Sequence, residues 1–177
     1  MTDIELESLI LSAMQGKKEA FARLIERFRT YAFQTAYGFL QDRMDAEDVV
    51  QEAFTKAYFS IGKLQSPHAF HSWFSRIVTN LCLDRLKRRR YSLASERIEE
   101  VAEQRDSASG LSRSLERLTI EEALGRLSPE MREVLVLREL QGFDYQEIAE
   151  ILRIPIGTVR SRLHAGRLHL RKHLAPE

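Results

Sequence analysis

Three groups of side chains in this 177-residue sequence have the types and spacing to do chemistry. The first is Asp45, Glu47, Asp48, Gln51 and Glu52, set beside Phe54 and Tyr58. Carboxylates this close invite a metal ion or acid/base work. Their spacing instead crowds them onto the start of one helix with no histidine near, where the helix dipole favours anions. A protein-docking face with an exposed aromatic is the functional alternative. The second group is His169 and His173, four apart and able to share a helix face as zinc ligands do. No glutamate follows His169 in a metalloprotease pattern, and no cysteine or aspartate lies near, so no metal site is expected. The third group is cationic: Arg85, Lys87, Arg88, Arg89 and Arg90 close one segment, and six basic residues with no acidic one occupy positions 153–174. Phosphate neutralisation is the chemistry such groups offer, and it makes affinity strongly salt-dependent. A phosphate-cradling glycine loop and a nucleophile motif are both missing. No catalytic residue, cofactor or small-molecule substrate is expected, and the chain does not read as an enzyme.

The elements that must position the last group are legible. Asp144 lies three residues before Glu147, a capping-box pattern for a helix opening at Tyr145. Ile148, Ala149, Ile151 and Leu152 give that helix one apolar face. The stretch Arg153-Ile154-Pro155-Ile156-Gly157 breaks it, because proline disfavours helical geometry in the residue before it. A second helix resumes near Thr158, with Val159, Leu163 and Leu170 inward and Arg160, Ser161, His164 and Arg167 on the other face. A short helix, a turn and a helix with outward donors reach base edges in a major groove.

Every other strongly periodic segment is also helical, and the chain reads as all-α. Helices are expected over Ile4 to Met14, over Lys18 to Leu40, and over Ala46 to Ile61 with Asp45 as its cap. Another starts at Ser66-Pro67 or afresh at Phe70 and runs to Arg90. Its apolar set is Phe70, Trp73, Phe74, Ile77, Val78, Leu81 and Leu86, with Cys82 a buried, inert thiol on the same side. From Tyr91 to Glu116 the pattern dies in Ser, Glu and Ala, the composition of a flexible linker. Beyond it lie a helix from Leu118 to Leu127, one that Ser128-Pro129 starts and Gly142 ends, and the two motif helices. The expected organisation is therefore two small helical domains, 1–92 and 117–177, joined by a linker at 93–116, the second a four-helix helix-turn-helix domain.

Charge sharpens this division. The formal net of +1 hides a net of −3 over residues 1–60, +6 over 61–92 and −3 over 93–116. Two basic patches in an otherwise acidic chain are the footprint of a protein that touches nucleic acid at two places. No apolar run approaches the roughly 20 residues that span a bilayer, and no basic-then-apolar leader opens the chain. With a single cysteine these features suit a reducing cytoplasm.

The segments DAEDVVQEAFTKAY (45–58), FHSWFSRIVTNLCLDRLKRRR (70–90), LSPEMREVLVLRELQGFDYQEIAEIL (127–152) and IPIGTVRSRLHAGR (154–167) occur in an order and spacing that resemble bacterial RNA polymerase sigma factors of the extracytoplasmic-function class. The resemblance covers most of both expected domains. It implies the minimal sigma factor: a region 2 domain and a region 4 domain joined by a linker, with no further domain after residue 177.

It also implies roles. Asp45, Asp48, Gln51, Glu52 and Phe54 would dock on the clamp helices of core RNA polymerase. Ser66, His68, Ala69 and Phe70 would hold an extruded base of the promoter minus-ten element, with Arg76, Asn80, Arg85, Lys87, Arg88, Arg89 and Arg90 steering duplex and strand. Thr158, Arg160, Ser161, Arg162, His164 and Arg167 would contact the minus-35 element. Family members often carry a basic residue where this chain has Ala165, so minus-35 specificity is not copied from relatives. An anti-sigma factor, often membrane-bound, is typical of the class and would hide both polymerase faces. The linker, a coil of roughly 28 Å r.m.s. span reaching about 90 Å at most, would thread near the RNA exit path, its acidity imitating nucleic acid. A polymerase-independent helix-turn-helix regulator is the competing reading, and it leaves the 70–90 helix and the acidic face without a task.

Overall fold

Long apolar-striped segments separated by short polar turns fold into helices among the described residues, 3–96 and 121–174 of the computed structural model. No strand occurs among them. The chain divides between Leu83 and Asp84 into two compact units. No described helix is long and apolar enough to cross a membrane.

In the first unit, α1 spans Asp3–Met14, α2 Lys18–Leu40 and α3 Arg43–Ser60. Helix α2 stops because Gln41 takes the left-handed conformation at φ 51°, while its side-chain amide donates to the Tyr37 carbonyl at 3.1 Å. Asp42 then caps α3, accepting from the Asp45 amide at 2.9 Å. This corrects the expected cap: Asp45 sits inside the first turn, because the chain reverses at Gln41 and the first orphan amides are those that follow Asp42.

After α3 come two 3-10 turns, Ile61–Lys63 and Pro67–Ala69, the second capped by Ser66. Helix α4 begins at Phe70 and runs to Glu96, past the Arg90 end expected for it. Leu, Ala and Glu are good helix formers, and a helix already nucleated propagates through them without an apolar stripe. Residues 97–116 of the expected linker, with the reading of its reach and acidity, lie outside the described residues.

The core of this unit is aromatic. Phe28 on α2 meets Phe70 and Phe74 of α4 at centroid separations of 5.0 and 6.1 Å, and Phe54 on α3 meets Phe74 at 4.9 Å. Ala32 and Ala36 on α2 and Ala46, Ala53 and Ala57 on α3 are almost wholly buried. Side chains this small let two helices approach closely, and α2 and α3 pack against each other. Cys82 is fully buried, as its apolar side predicts.

In the second unit, residues 121–125 form α5, and α6 runs Pro129–Leu135 before widening into a π turn, Val136–Leu140. Helices α7, Tyr145–Leu152, and α8, Ile156–Leu174, complete the four. Ser128 caps α6 with Pro129 in its first turn, and Gly142 at φ +75° takes the left-handed turn beyond the π segment.

Arg132 holds α5 to α6. Only 8% exposed, it donates from Nε to the Leu124 carbonyl at 2.9 Å and from Nη2 to the Gly125 and Leu127 carbonyls at 3.2 and 2.9 Å. These carbonyls lie at the end of α5 and just past it; the Leu124 carbonyl also accepts from the Leu127 amide at 3.2 Å, while those of Gly125 and Leu127 have no next helical turn to accept from. Burial lowers the guanidinium from its ordinary value, with Glu133 and Glu130 opposing. Replacing Arg132 by alanine removes three hydrogen bonds and strands the Gly125 and Leu127 acceptors, and we expect a loss of roughly 3 kcal/mol in the unfolding free energy. Thermal unfolding of the full chain followed by circular dichroism measures it, with Arg126→Ala, at an exposed position of the same turn, expected to leave stability unchanged.

Candidate functional site

Helix α3 presents the acidic face. Its cap and first turn fix Asp42 and Asp45, and Asp48, Gln51 and Glu52 follow, exposed, on the outer side. Two carboxylates of this helix already have partners one turn away: Arg43 Nε reaches Glu47 at 3.0 Å and Lys56 Nζ reaches Glu52 at 3.0 Å. Exposed pairs of this kind contribute little to stability, so the face remains available to a partner. Phe54 does not serve as the exposed aromatic. It is 7% exposed and packs on Phe74 because its position falls on the buried stripe with Val50 and Ala57. The exposed rings are Tyr58 and Phe59, the latter 78% exposed. With Phe21, Ile25 and Val50 they line a groove between α2 and α3, and Phe54 forms part of its wall. Phe59 was missed in the sequence because it lies outside the apolar period, which is itself the signal of an uncovered ring.

The loop before α4 supplies the second set. Ser66 accepts from the His68 amide at 3.3 Å, holding the turn. His68 and Ala69 are exposed, and His68 Nε2 lies 3.5 Å from Glu7 of α1. Phe70, expected in the apolar set of its helix, is 1% exposed and belongs to the core, stacked on Phe74 at 5.8 Å, and it anchors the loop from beneath. Beside it His71 rests on the Tyr31 ring at 4.9 Å, and the Tyr31 hydroxyl bonds Ser75 Oγ at 2.5 Å. Burial raises the Tyr31 hydroxyl above its ordinary range, so it stays protonated. Arg76 and Asn80 stand exposed one turn apart on α4. In the second unit's share of that helix Arg85 is half-buried, and Lys87, Arg88, Arg89 and Arg90 are exposed. Arg90 Nη2 donates to Glu130 at 3.3 Å and Glu133 at 3.2 Å.

The helix-turn-helix has the third set. Asp144 accepts from the Glu147 amide at 2.8 Å while Glu147 accepts from the Asp144 amide at 2.9 Å, closing the expected capping box. Helix α7 ends where Arg153 turns left-handed at φ 54°, and the Pro155 carbonyl accepts from Thr158 at 2.9 Å and Val159 at 3.2 Å. That bonding starts α8 at Ile156, two residues before the sequence expectation. Val159, Leu163 and Gly166 are buried beneath α8. Arg160, Ser161 and His164 point to solvent, with Thr158 half-buried and its carbonyl accepting from Ser161 Oγ at 3.0 Å.

Two predicted contacts have company inside the protein. Arg162 is half-buried, and its charge is among those acting on the Glu133 carboxyl, which burial raises from its ordinary value. Arg167 is exposed and bonds Glu139 through Nε at 3.0 Å and Nη2 at 2.6 Å. Ala165 is half-buried on the flank of α8. His169 and His173 meet edge to face at 6.2 Å, and no third metal-ligating side chain joins them among the described residues.

Two family descriptions match this chain: Sigma-70 region 2 over residues 24–91 and Sigma-70, region 4 over residues 117–170. The ECF RNA polymerase sigma factor SigW of Bacillus subtilis is 30% identical over 186 residues, covering 97% of this chain and 98% of that one. The RNA polymerase sigma-H factor of Pseudomonas aeruginosa is 32% identical, covering 99% of this chain and 97% of its own. Among solved structures, CnrH in complex with the cytosolic domain of CnrY aligns with a TM-score of 0.60 at 26% identity, covering 96% of each chain. The sigma factor RpoE of Bartonella quintana, in complex with the anti-sigma factor NepR, shares the fold at a TM-score of 0.66 and 23% identity, covering 87% of this chain and 96% of that one.

The capping box yields a direct test. Asp144→Ala leaves the Glu147 amide without its side-chain acceptor and should cost about 1 kcal/mol of stability. Asp144→Asn, which keeps a side-chain acceptor, should restore most of it. Chemical denaturation of both variants beside the parent chain measures the difference.

Proposed function

The chain belongs to the extracytoplasmic-function class of the sigma-70 family of RNA polymerase sigma factors, and on that footing we propose how its surfaces divide the work. As an alternative sigma factor it joins core RNA polymerase and directs transcription from specific promoters. It makes and breaks no bonds itself; binding energy shifts the promoter duplex toward the open state. It works in the cytoplasm, where polymerase and DNA meet.

The observation that carries this division is the sorting of side chains on α8. Val159, Leu163 and Gly166 are buried, while Arg160, Ser161 and His164 face solvent on the same helix. A helix so divided is seated on its own domain and offers donors to a major groove. We assign minus-35 contacts to that exposed set, with Thr158 and Arg162 at its margin. The loop residues Ser66, His68 and Ala69, with Arg76, Asn80 and the cations from Arg85 to Arg90, are assigned to the minus-ten element. Phe70 supports them from the core. Asp45, Asp48, Gln51 and Glu52 dock on polymerase, and the groove edged by Tyr58 and Phe59 supplies the apolar share of that contact. An anti-sigma factor fits the same surfaces, since covering them blocks both polymerase and DNA.

Purified full-length protein mixed with core RNA polymerase and promoter-bearing DNA should give specific transcripts. Asp48→Ala combined with Gln51→Ala should weaken core binding about tenfold, or ~1.4 kcal/mol. Arg160→Ala should cost about 1–3 kcal/mol in minus-35 recognition if it reads a base. Failure to bind core polymerase, together with tight duplex binding by the protein alone, would return the chain to the free-standing regulator class.

A further inference from the structure

We infer that Glu139 is a specificity-determining residue: it holds the Arg167 guanidinium away from the phosphates of arbitrary duplex. The inference rests on the reading that α8 binds duplex DNA. Positions 153–174 contain no acidic residue, so no carboxylate of α8 can restrain its cations. Glu139 comes instead from the π turn, 28 residues earlier, and takes both Nε and Nη2 of Arg167 on one oxygen.

The geometry around the pair is built. The π turn is tied at its end by the Gln141 amide to the Val136 carbonyl at 3.2 Å and the Phe143 amide to the Leu137 carbonyl at 3.1 Å. Next to Glu139, Arg138 donates to the Phe143 carbonyl at 2.9 Å and lies over the Tyr145 ring at 5.4 Å. Tyr145 stands close enough to act on Arg167 as well, so the guanidinium meets groups from the π turn and from the first residue of α7. Glu139 and Tyr145 together raise Arg167 above its ordinary value.

Stability does not explain the arrangement. The two side chains are 47% and 52% exposed, and a pair so open to water adds little to folding, although parting it still has a small cost. What the pair changes is the charge that a passing phosphate meets. A cation already matched by a carboxylate displaces no counterion from DNA, whereas a free one adds about 0.9 to the salt slope. On a cognate site, where α8 is seated by its base contacts, a phosphate can take over the guanidinium edge that Glu139 releases. On arbitrary sequence nothing offsets that separation. Discrimination is a difference of affinities, and weakening the wrong complex increases it as surely as strengthening the right one.

The test is a double-mutant cycle in the full-length protein. Dissociation constants for a short duplex of arbitrary sequence are measured by fluorescence anisotropy over a range of salt concentrations. Glu139→Gln should tighten binding and steepen the log–log salt slope by about 0.9. Arg167→Ala should leave the parent slope unchanged, and the double variant should match Arg167→Ala. On a minus-35 duplex Glu139→Gln should gain less, so the ratio of specific to arbitrary binding falls. An unchanged slope in Glu139→Gln overturns the inference. So does a shallower slope in Arg167→Ala alone, or a Glu139→Gln effect that persists without Arg167, since the carboxylate would then act by its own field. Absence of salt-dependent duplex binding by every variant would instead reject the helix-turn-helix reading on which the inference rests.

Discussion

A helix that ends inside a protein leaves carbonyls short of partners, and in the second unit three carbonyls at the end of α5 and just beyond it converge on the guanidinium of Arg132. Helix α6, which carries that arginine, also supports the buried side of α8. The seat of the outward donors is thus continuous with a single buried cation. An aliphatic residue could fill the space but could not donate, and lysine could not span three acceptors with one planar fork. The need to terminate α5 without water therefore sets the chemistry at position 132.

The first unit solves its packing differently. Rings from α2, α3 and α4 meet edge to face, tilted or stacked, and alanines let α2 and α3 draw close around them. Such rings are large and have few rotamers, so a core built on them is stiff. That stiffness reaches the loop before α4 through Phe70, the first residue of α4 and a fully buried ring of the core. A recognition loop anchored at its end by a buried aromatic keeps its exposed members, His68 and Ala69, in a defined place.

Much of this was legible in the sequence because local rules governed it. Asp144 with Glu147, Ser128 with Pro129 and Ser66 with Pro67 are cap signatures, and each cap forms where the pattern puts it. Where two local solutions compete, the sequence cannot choose. Asp42 and Asp45 are equally good caps, and the left-handed turn at Gln41, a tertiary outcome, selects the first. Burial of Phe54, a residue of the expected docking contact, shows a second limit. Periodicity marks a stripe as apolar but does not say how far neighbouring helices cover it. The pairing of Glu139 with Arg167 shows a third, since nothing local connects residues 28 positions apart.

Gly166 deserves a last consideration. A β-carbon there would lie 2.7 Å from Leu135 Cδ1, so any other residue at 166 would push the Leu135 side chain of α6 aside. The anchoring positions, 159, 163 and 166, are separate residues from the solvent-facing 160, 161 and 164. One helix thus carries two independent texts, one for assembly and one for address. Substitutions in the second can accumulate without disturbing the first, so duplicated copies of such a gene can drift toward new promoters while remaining folded throughout.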